Sequence, residues 1–257
     1  DMVATEPAGV AVAHGTEPFR WWVIENAVEP VSAAAIPPAD WHGWEAKYAN
    51  DVEAGKLATR NLDRLPPDFA RVRDVVATMR AGAPRWSEIA GIDGLTDDPH
   101  LHGGGVHCSI GGSWLQIHGD YESHPLLPGM ERRLNLIAFL HPEWNPGWGG
   151  QLLLCDGNGR AVVEFDPAPG RLVAFECGPA SFHGVRQTRP TAPPRLSAAV
   201  YFLAPTRPAA ARTRAMFLPN RSGPGKPPAE VRLCPGCGGL RCGTDAWGIP
   251  TCNPAAD

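Results

Sequence analysis

The sequence predicts a mainly β protein with flanking helices, an α+β chain whose centre is an antiparallel barrel or double-sheet jelly roll. Three observations carry this. Between about residues 100 and 205 short apolar runs alternate with Gly and Pro, at the length and spacing of strands in such folds. Turn signals separate the runs, as in Asp156-Gly157-Asn158-Gly159 and Asp166-Pro167-Ala168-Pro169-Gly170. Clear helical periodicity is confined to the first hundred residues, where Phe69, Val72, Val75, Val76 and Met79 recur at three- and four-residue spacing.

In chain order, residues 1–17 are small and polar without a period and read as a loose leader or an arm lying on the domain. The run 19–24 (Phe-Arg-Trp-Trp-Val-Ile) is aromatic and β-branched and predicts a strand, broken by Glu29-Pro30. Helices are expected over 31–36 and 66–79, and the aromatic stretch 41–48 between them is expected to pack as core or lid. The predicted strands are 105–110, 114–118, 133–140, 151–155, 162–165, 171–175 and 196–203. This divides the chain into an N-terminal strand and helices covering the barrel (1–99), the barrel core (100–205), and a Pro/Gly- and Cys-rich tail (206–257) that cannot build an apolar core of its own.

Composition excludes several roles. With a net charge of −4 over 257 residues there is no electrostatic case for nucleic acid or an anionic membrane. No apolar run approaches the ~20 residues of a bilayer span, and the first residues lack a basic-then-apolar leader, so a cytoplasmic location is expected. The seven cysteines are uneven, and their odd number argues against a disulfide framework. Cys234, Cys237, Cys242 and Cys252 crowd the tail. Cys234-Pro235-Gly236-Cys237 is a CxxC knuckle, and four thiolates could hold a structural zinc. A reduced tail or two disulfides are the alternatives, since the second pair lacks its own CxxC.

The chemistry centres on Leu115-Gln116-Ile117-His118-Gly119-Asp120-Tyr121. In an extended chain residues two apart share a face, so His118 and Asp120 could grip one metal ion, with a third ligand at His183. Two histidines and a carboxylate are a facial triad, the ligand set that leaves open positions on iron.

The ordered set His118-Gly119-Asp120, Arg133-Leu134-Asn135-Leu136-Ile137-Ala138-Phe139-Leu140, Trp148-Gly149-Gly150-Gln151-Leu152, Phe182-His183-Gly184-Val185 and Arg195-Leu196-Ser197 resembles the Fe(II)- and 2-oxoglutarate-dependent oxygenases, in their prolyl-hydroxylase-like branch. The resemblance implies a double-stranded β-helix, a cupin-like jelly roll with the N-terminal helices packed on one sheet. It also implies Fe(II), 2-oxoglutarate as co-substrate and O2. His118, Asp120 and His183 become the iron ligands and Arg195 the partner of the distal carboxylate of 2-oxoglutarate. A guanidinium fork suits that role. Ser197, two along the strand, could donate to the same group, and Asn135 is placed on the co-substrate side of the iron or satisfied within the sheet. Arg186 and Arg189 are rivals to Arg195. Some prolyl hydroxylases carry a tyrosine where this chain has Phe139. Halogenases of the superfamily carry Gly or Ala in place of Asp120.

The implied reaction is decarboxylation of 2-oxoglutarate to succinate with hydroxylation of an unactivated C–H bond; cyclisation, desaturation and epimerisation share the early steps. The expected substrate is a small molecule, a free amino acid or a natural-product scaffold. A peptidyl hydroxylase and a non-catalytic metal-binding jelly roll are the alternatives. Tyr121, His107, Arg133 and Trp114 are the candidate substrate contacts.

Overall fold

The computed structural model describes residues 4–5, 11–208 and 212–218. Short strands β1 (Ala4–Thr5), β2 (Ala11–Gly15) and β3 (Trp21–Ile24) lead to the hairpin β4 (Ala46–Ala49) and β5 (Glu53–Thr59). Helices α1 (Ala70–Ala81) and α2 (Ala83–Ala90) and the two-residue β6 (Thr96–Asp97) follow. Then come β7 (Gly105–Gly119), β8 (Met130–Phe139), β9 (Leu152–Cys155), β10 (Ala161–Phe165), β11 (Leu172–Glu176), β12 (Phe182–Val185), β13 (Arg195–Pro205) and β14 (Met216–Phe217).

All strand pairings are antiparallel, in the order β1-β2-β3-β11-β8-β13-β7-β12-β9-β10, with β5 and β14 also on β7. The sequence predicts two strands in place of β7, and the structure has one long one. It bends at Gly111-Gly112, where Gly112 takes φ +85° and a Cβ on Gly111 would lie 2.2 Å from the Pro190 carbonyl oxygen. The bend lets residues 105–109 pair with β13 and residues 115–119 pair with β12, so one strand serves both walls of the roll.

Strand β13 shows how the barrel is filled. Leu196, Ala198, Val200 and Phe202 point outward into a core shared with Val72, Val76 and Met79 of α1 and Trp86 of α2. The alternate residues Arg195, Ser197, Ala199 and Tyr201 point into the barrel and line its cavity. Both faces are buried, and only one is apolar.

Several expectations need correction. Residues 31–36 form no α-helix, only a 3-10 turn at Ala33–Ala35, because Pro30, Pro37 and Pro38 leave no room for helical hydrogen bonding. Residues 11–15, read as part of a loose leader or an arm lying on the domain, are a strand paired with β3, which rules out the loose leader there. The first hundred residues do more than cover the barrel: β3 extends one sheet beside β11, and β5 adds a strand beside β7. The aromatic stretch packs as expected, with Trp44 buried and set edge-on to Trp41 at 5.2 Å between ring centroids. The tail cysteines Cys234, Cys237, Cys242 and Cys252 lie outside the described residues.

Candidate metal and co-substrate site

A cavity of about 590 Å3 opens into the barrel, and the facial-triad residues line one end of it. His118 on β7 and His183 on β12 are directly opposite in the sheet register, and their rings sit 4.3 Å apart between centroids. Asp120 follows β7 by one residue. Its Oδ1 is 3.7 Å from Nε2 of His118 and its Oδ2 is 3.8 Å from Nε2 of His183. These separations are too long for hydrogen bonds, and the three ligand atoms lie within 4.8 Å of one another, close enough for one cation to touch all three.

Each imidazole is oriented from behind. Nδ1 of His118 is 2.9 Å from the Gln116 carbonyl oxygen, and Nδ1 of His183 is 3.1 Å from that of Ser181. Donation from Nδ1 leaves a lone pair on Nε2, the nitrogen facing Asp120. Burial lowers the His118 pKa to about 3, helped by the adjacent His183, so its ring is neutral and ready to ligate. Burial pushes the Asp120 carboxyl up, but His183, Arg132, His118 and the Tyr201 hydroxyl together outweigh it and hold the group at about 2. Phe217 stacks on His118 at 5.2 Å and Phe175 lies 4.7 Å from His183. The rings close the flanks of the site with apolar surface.

Arg195 enters the cavity from the start of β13. It is 4 % exposed, and it forms no ion pair with any carboxylate among the described residues. Its Nε has no hydrogen-bond partner there. The guanidinium lies 4.8 Å from the centre of the Phe139 ring, and burial lowers its pKa to about 10. A buried cation left without an anion is costly unless a ligand supplies one. Ser197 lies two residues along the same face, and His107 sits opposite it on β7. Buried Asn135 also lines the cavity, and its side-chain oxygen lacks a partner among the described residues. The donor set thus fits a divalent cation at one end and a carboxylate at the other.

Of the candidate substrate contacts, Tyr121, His107 and Trp114 line the cavity and Arg133 does not. Strict alternation along β8 would send Arg133 inward with Asn135 and Ile137. The pairing of β8 with β13 slips between Phe202 and Leu203, so that Leu134 faces Phe202 while Arg132 faces Leu203. One residue is thereby skipped, and Arg132 turns inward instead. Arg133 reaches Glu131 at 3.6 Å and Glu176 at 3.9 Å. Of the two rivals of Arg195, Arg186 pairs with exposed Glu164, and neither it nor Arg189 lines the cavity.

Sequence reasoning missed Arg132 and Tyr201. The Arg132 guanidinium lies between the rings of Tyr121 and Tyr201, at 3.7 and 3.6 Å from their centroids, and donates to the Tyr121 hydroxyl and the His102 carbonyl. It also stands 3.5 Å from Asp120 Oδ1. The Tyr201 hydroxyl donates to Asp120 Oδ2 at 2.9 Å. Tyr201 was within reach of sequence reasoning, since it lies six residues from Arg195 on the same face of β13.

Fold and site together define the class: a double-stranded β-helix carrying a His-Asp-His cluster that could hold a metal ion. Residues 104–203 match the family model of the 2OG-Fe(II) oxygenase superfamily. The superfamily comprises oxidoreductases that use Fe(II), 2-oxoglutarate and O2. None of the curated proteins matches the chain in sequence. Among solved structures, a prolyl-4-hydroxylase from Pseudomonas putida is 21% identical, with 60% of this chain and 74% of that chain covered and a TM-score of 0.41. HygX from Streptomyces hygroscopicus, solved with nickel and 2-oxoglutarate, is 12% identical over 72% and 83%, with a TM-score of 0.42. A 2OG-Fe(II) oxygenase family oxidoreductase from Burkholderia pseudomallei is 16% identical over 80% and 78%, with a TM-score of 0.38. Among the described residues no helix is long and apolar enough to cross a membrane.

Proposed function

We propose that this chain hydroxylates an unactivated C–H bond of a small molecule, a free amino acid or natural-product scaffold, releasing succinate and CO2. The reading is carried by one observation: three convergent metal ligands and a buried arginine without an acid partner among the described residues share a cavity with room left over. His118, Asp120 and His183 would hold Fe(II), and Arg195 with Ser197 would hold the distal carboxylate of 2-oxoglutarate. Asn135 would face the co-substrate from β8. Bound there, Fe(II) supplies the means to oxidise the co-substrate and a C–H bond together with O2. Asp120 fills the position that halogenases leave to chloride, which favours oxygen insertion.

The protein's own part is orientation and exclusion of water. The Gln116 and Ser181 carbonyls fix the two imidazoles, and Tyr201 engages one oxygen of Asp120, favouring ligation through the other. Where some prolyl hydroxylases use a tyrosine hydroxyl, Phe139 presents a ring face that steadies the Arg195 guanidinium. Phe175, Phe217 and Ile137 keep the metal end apolar.

Anaerobic titration of Fe(II)-loaded protein with 2-oxoglutarate tests this. A visible metal-to-ligand charge-transfer absorption is expected, absent in Asp120→Ala and His183→Ala and displaced to about 100-fold higher 2-oxoglutarate in Arg195→Met. No such absorption in the unsubstituted protein refutes the oxygenase reading. Succinate release that only long peptides or folded proteins accelerate refutes the substrate choice.

A further inference from the structure

Four charged residues reach the cavity from outside the matched core, Asp51, Glu53, Lys56 and Arg214. Glu53 and Lys56 both belong to β5, and residues three apart on a regular strand face opposite ways. Both nevertheless line the cavity. The pairing of β5 with β7 slips between Ala54 and Lys56, and Gly55 there adopts φ +71° with a Cβ position only 2.9 Å from Ser113 Cα. A bulge of this kind re-aims a side chain, and only glycine fits at its turn.

The resulting pair is poised to change partners. Glu53 is 6 % exposed, and its Oε1 lies 2.5 Å from the Lys56 ammonium yet completes no hydrogen bond among the described residues. The ammonium stands 4.4 Å from the centre of the Tyr48 ring, which also lines the cavity. Lys56 lies opposite Ser109, and Ser109 opposite Arg195, in one row across three strands. A half-dry ion pair adds little stability over apolar residues of the same size. A ligand explains its place better than stability does.

We propose that Glu53 and Lys56 form the substrate-recognition subsite of this cavity and that it takes a zwitterion, the ammonium on Glu53 and the carboxylate on Lys56. Each protein charge then exchanges one opposite charge for another, and none is left buried alone. A residue within a peptide carries neither a free α-ammonium nor a free α-carboxylate, so the subsite selects a free amino acid over a peptidyl one. This inference rests on the oxygenase reading given under Proposed function.

The test uses the full chain loaded with Fe(II) and 2-oxoglutarate. The twenty common L-amino acids, each also as its N-acetyl and its amide derivative, are assayed for acceleration of succinate release above the substrate-free rate. At least one free amino acid is expected to accelerate it, and either blocking group is expected to lower kcat/KM about 100-fold. Glu53→Gln is expected to raise KM for the free amino acid about 10- to 100-fold while leaving the N-acetyl form nearly unchanged, and Lys56→Met to do the same relative to the amide. Should a single variant fail to fold, the Glu53→Gln/Lys56→Met double variant, which removes both charges together, makes the comparison. Blocked forms turned over as well as free ones, peptides alone accelerating, or no amino acid accelerating would each overturn the proposal. In those cases the charge-transfer absorption and the substrate-free succinate release persist, and the oxygenase reading stands; their loss would sink both.

Discussion

Removing the hydroxyl of Tyr201 isolates one hydrogen bond at the metal carboxylate. The bond to Asp120 Oδ2 is 2.9 Å long and buried, Tyr201 being 7 % exposed, and its acceptor is ionised. Removing a hydrogen-bond partner that orients a metal-ligating group typically costs about 10- to 100-fold in metal affinity, so Tyr201→Phe is expected to weaken metal binding about 10- to 100-fold. The phenyl ring keeps its place against Arg132, and the melting temperature of the metal-free protein should change little. Titrating metal-free protein with Mn(II) or Co(II) reads the affinity without turnover. Affinity equal to that of the unsubstituted protein would refute the view that Tyr201 positions Asp120 for the metal. A large fall in the metal-free melting temperature would show that the hydroxyl acts chiefly on folding.

Two further outcomes follow from the same neighbourhood. Arg132→Ala should cost about 3–5 kcal/mol in chemical denaturation, because it leaves Asp120 and two tyrosine rings around a void, while Arg133→Ala should cost about 1 kcal/mol or less; the reverse order would contradict the bulge in β8. Stability of the metal-free protein should fall as pH drops below about 6.5. Burial lowers His102 and His118 to about 3 and His141 to about 4, so between those values and 6.5 the unfolded chain binds protons that the folded one does not. The slope is about 1.4 kcal/mol per pH unit for each such histidine, and the depressed Asp120 adds to the loss only below about 3.8. A urea midpoint unchanged between pH 6.5 and 5 would show that these rings are charged in the folded state.

The three candidate metal ligands and Arg195 were legible in the sequence because strand alternation is a local rule. His118 and Asp120 share a face by spacing alone, and Arg195 opens a strand whose odd and even residues divide cleanly between cavity and core. The core strands were legible for the same reason, through apolar runs cut by Gly and Pro. Arg132 was not, because a one-residue slip between β8 and β13 exchanges it with Arg133, and the slip depends on how two distant strands pair. Glu53 and Lys56 were hidden by a second slip, at Gly55, in a stretch without strand-like alternation. The sequence by itself carried the fold class and the candidate ligand set, which rest on residue type and short spacing, while the reaction class came from its resemblance to a family. The tertiary structure alone decided which further charges face the cavity, since that is set by register between strands that meet only when the barrel closes.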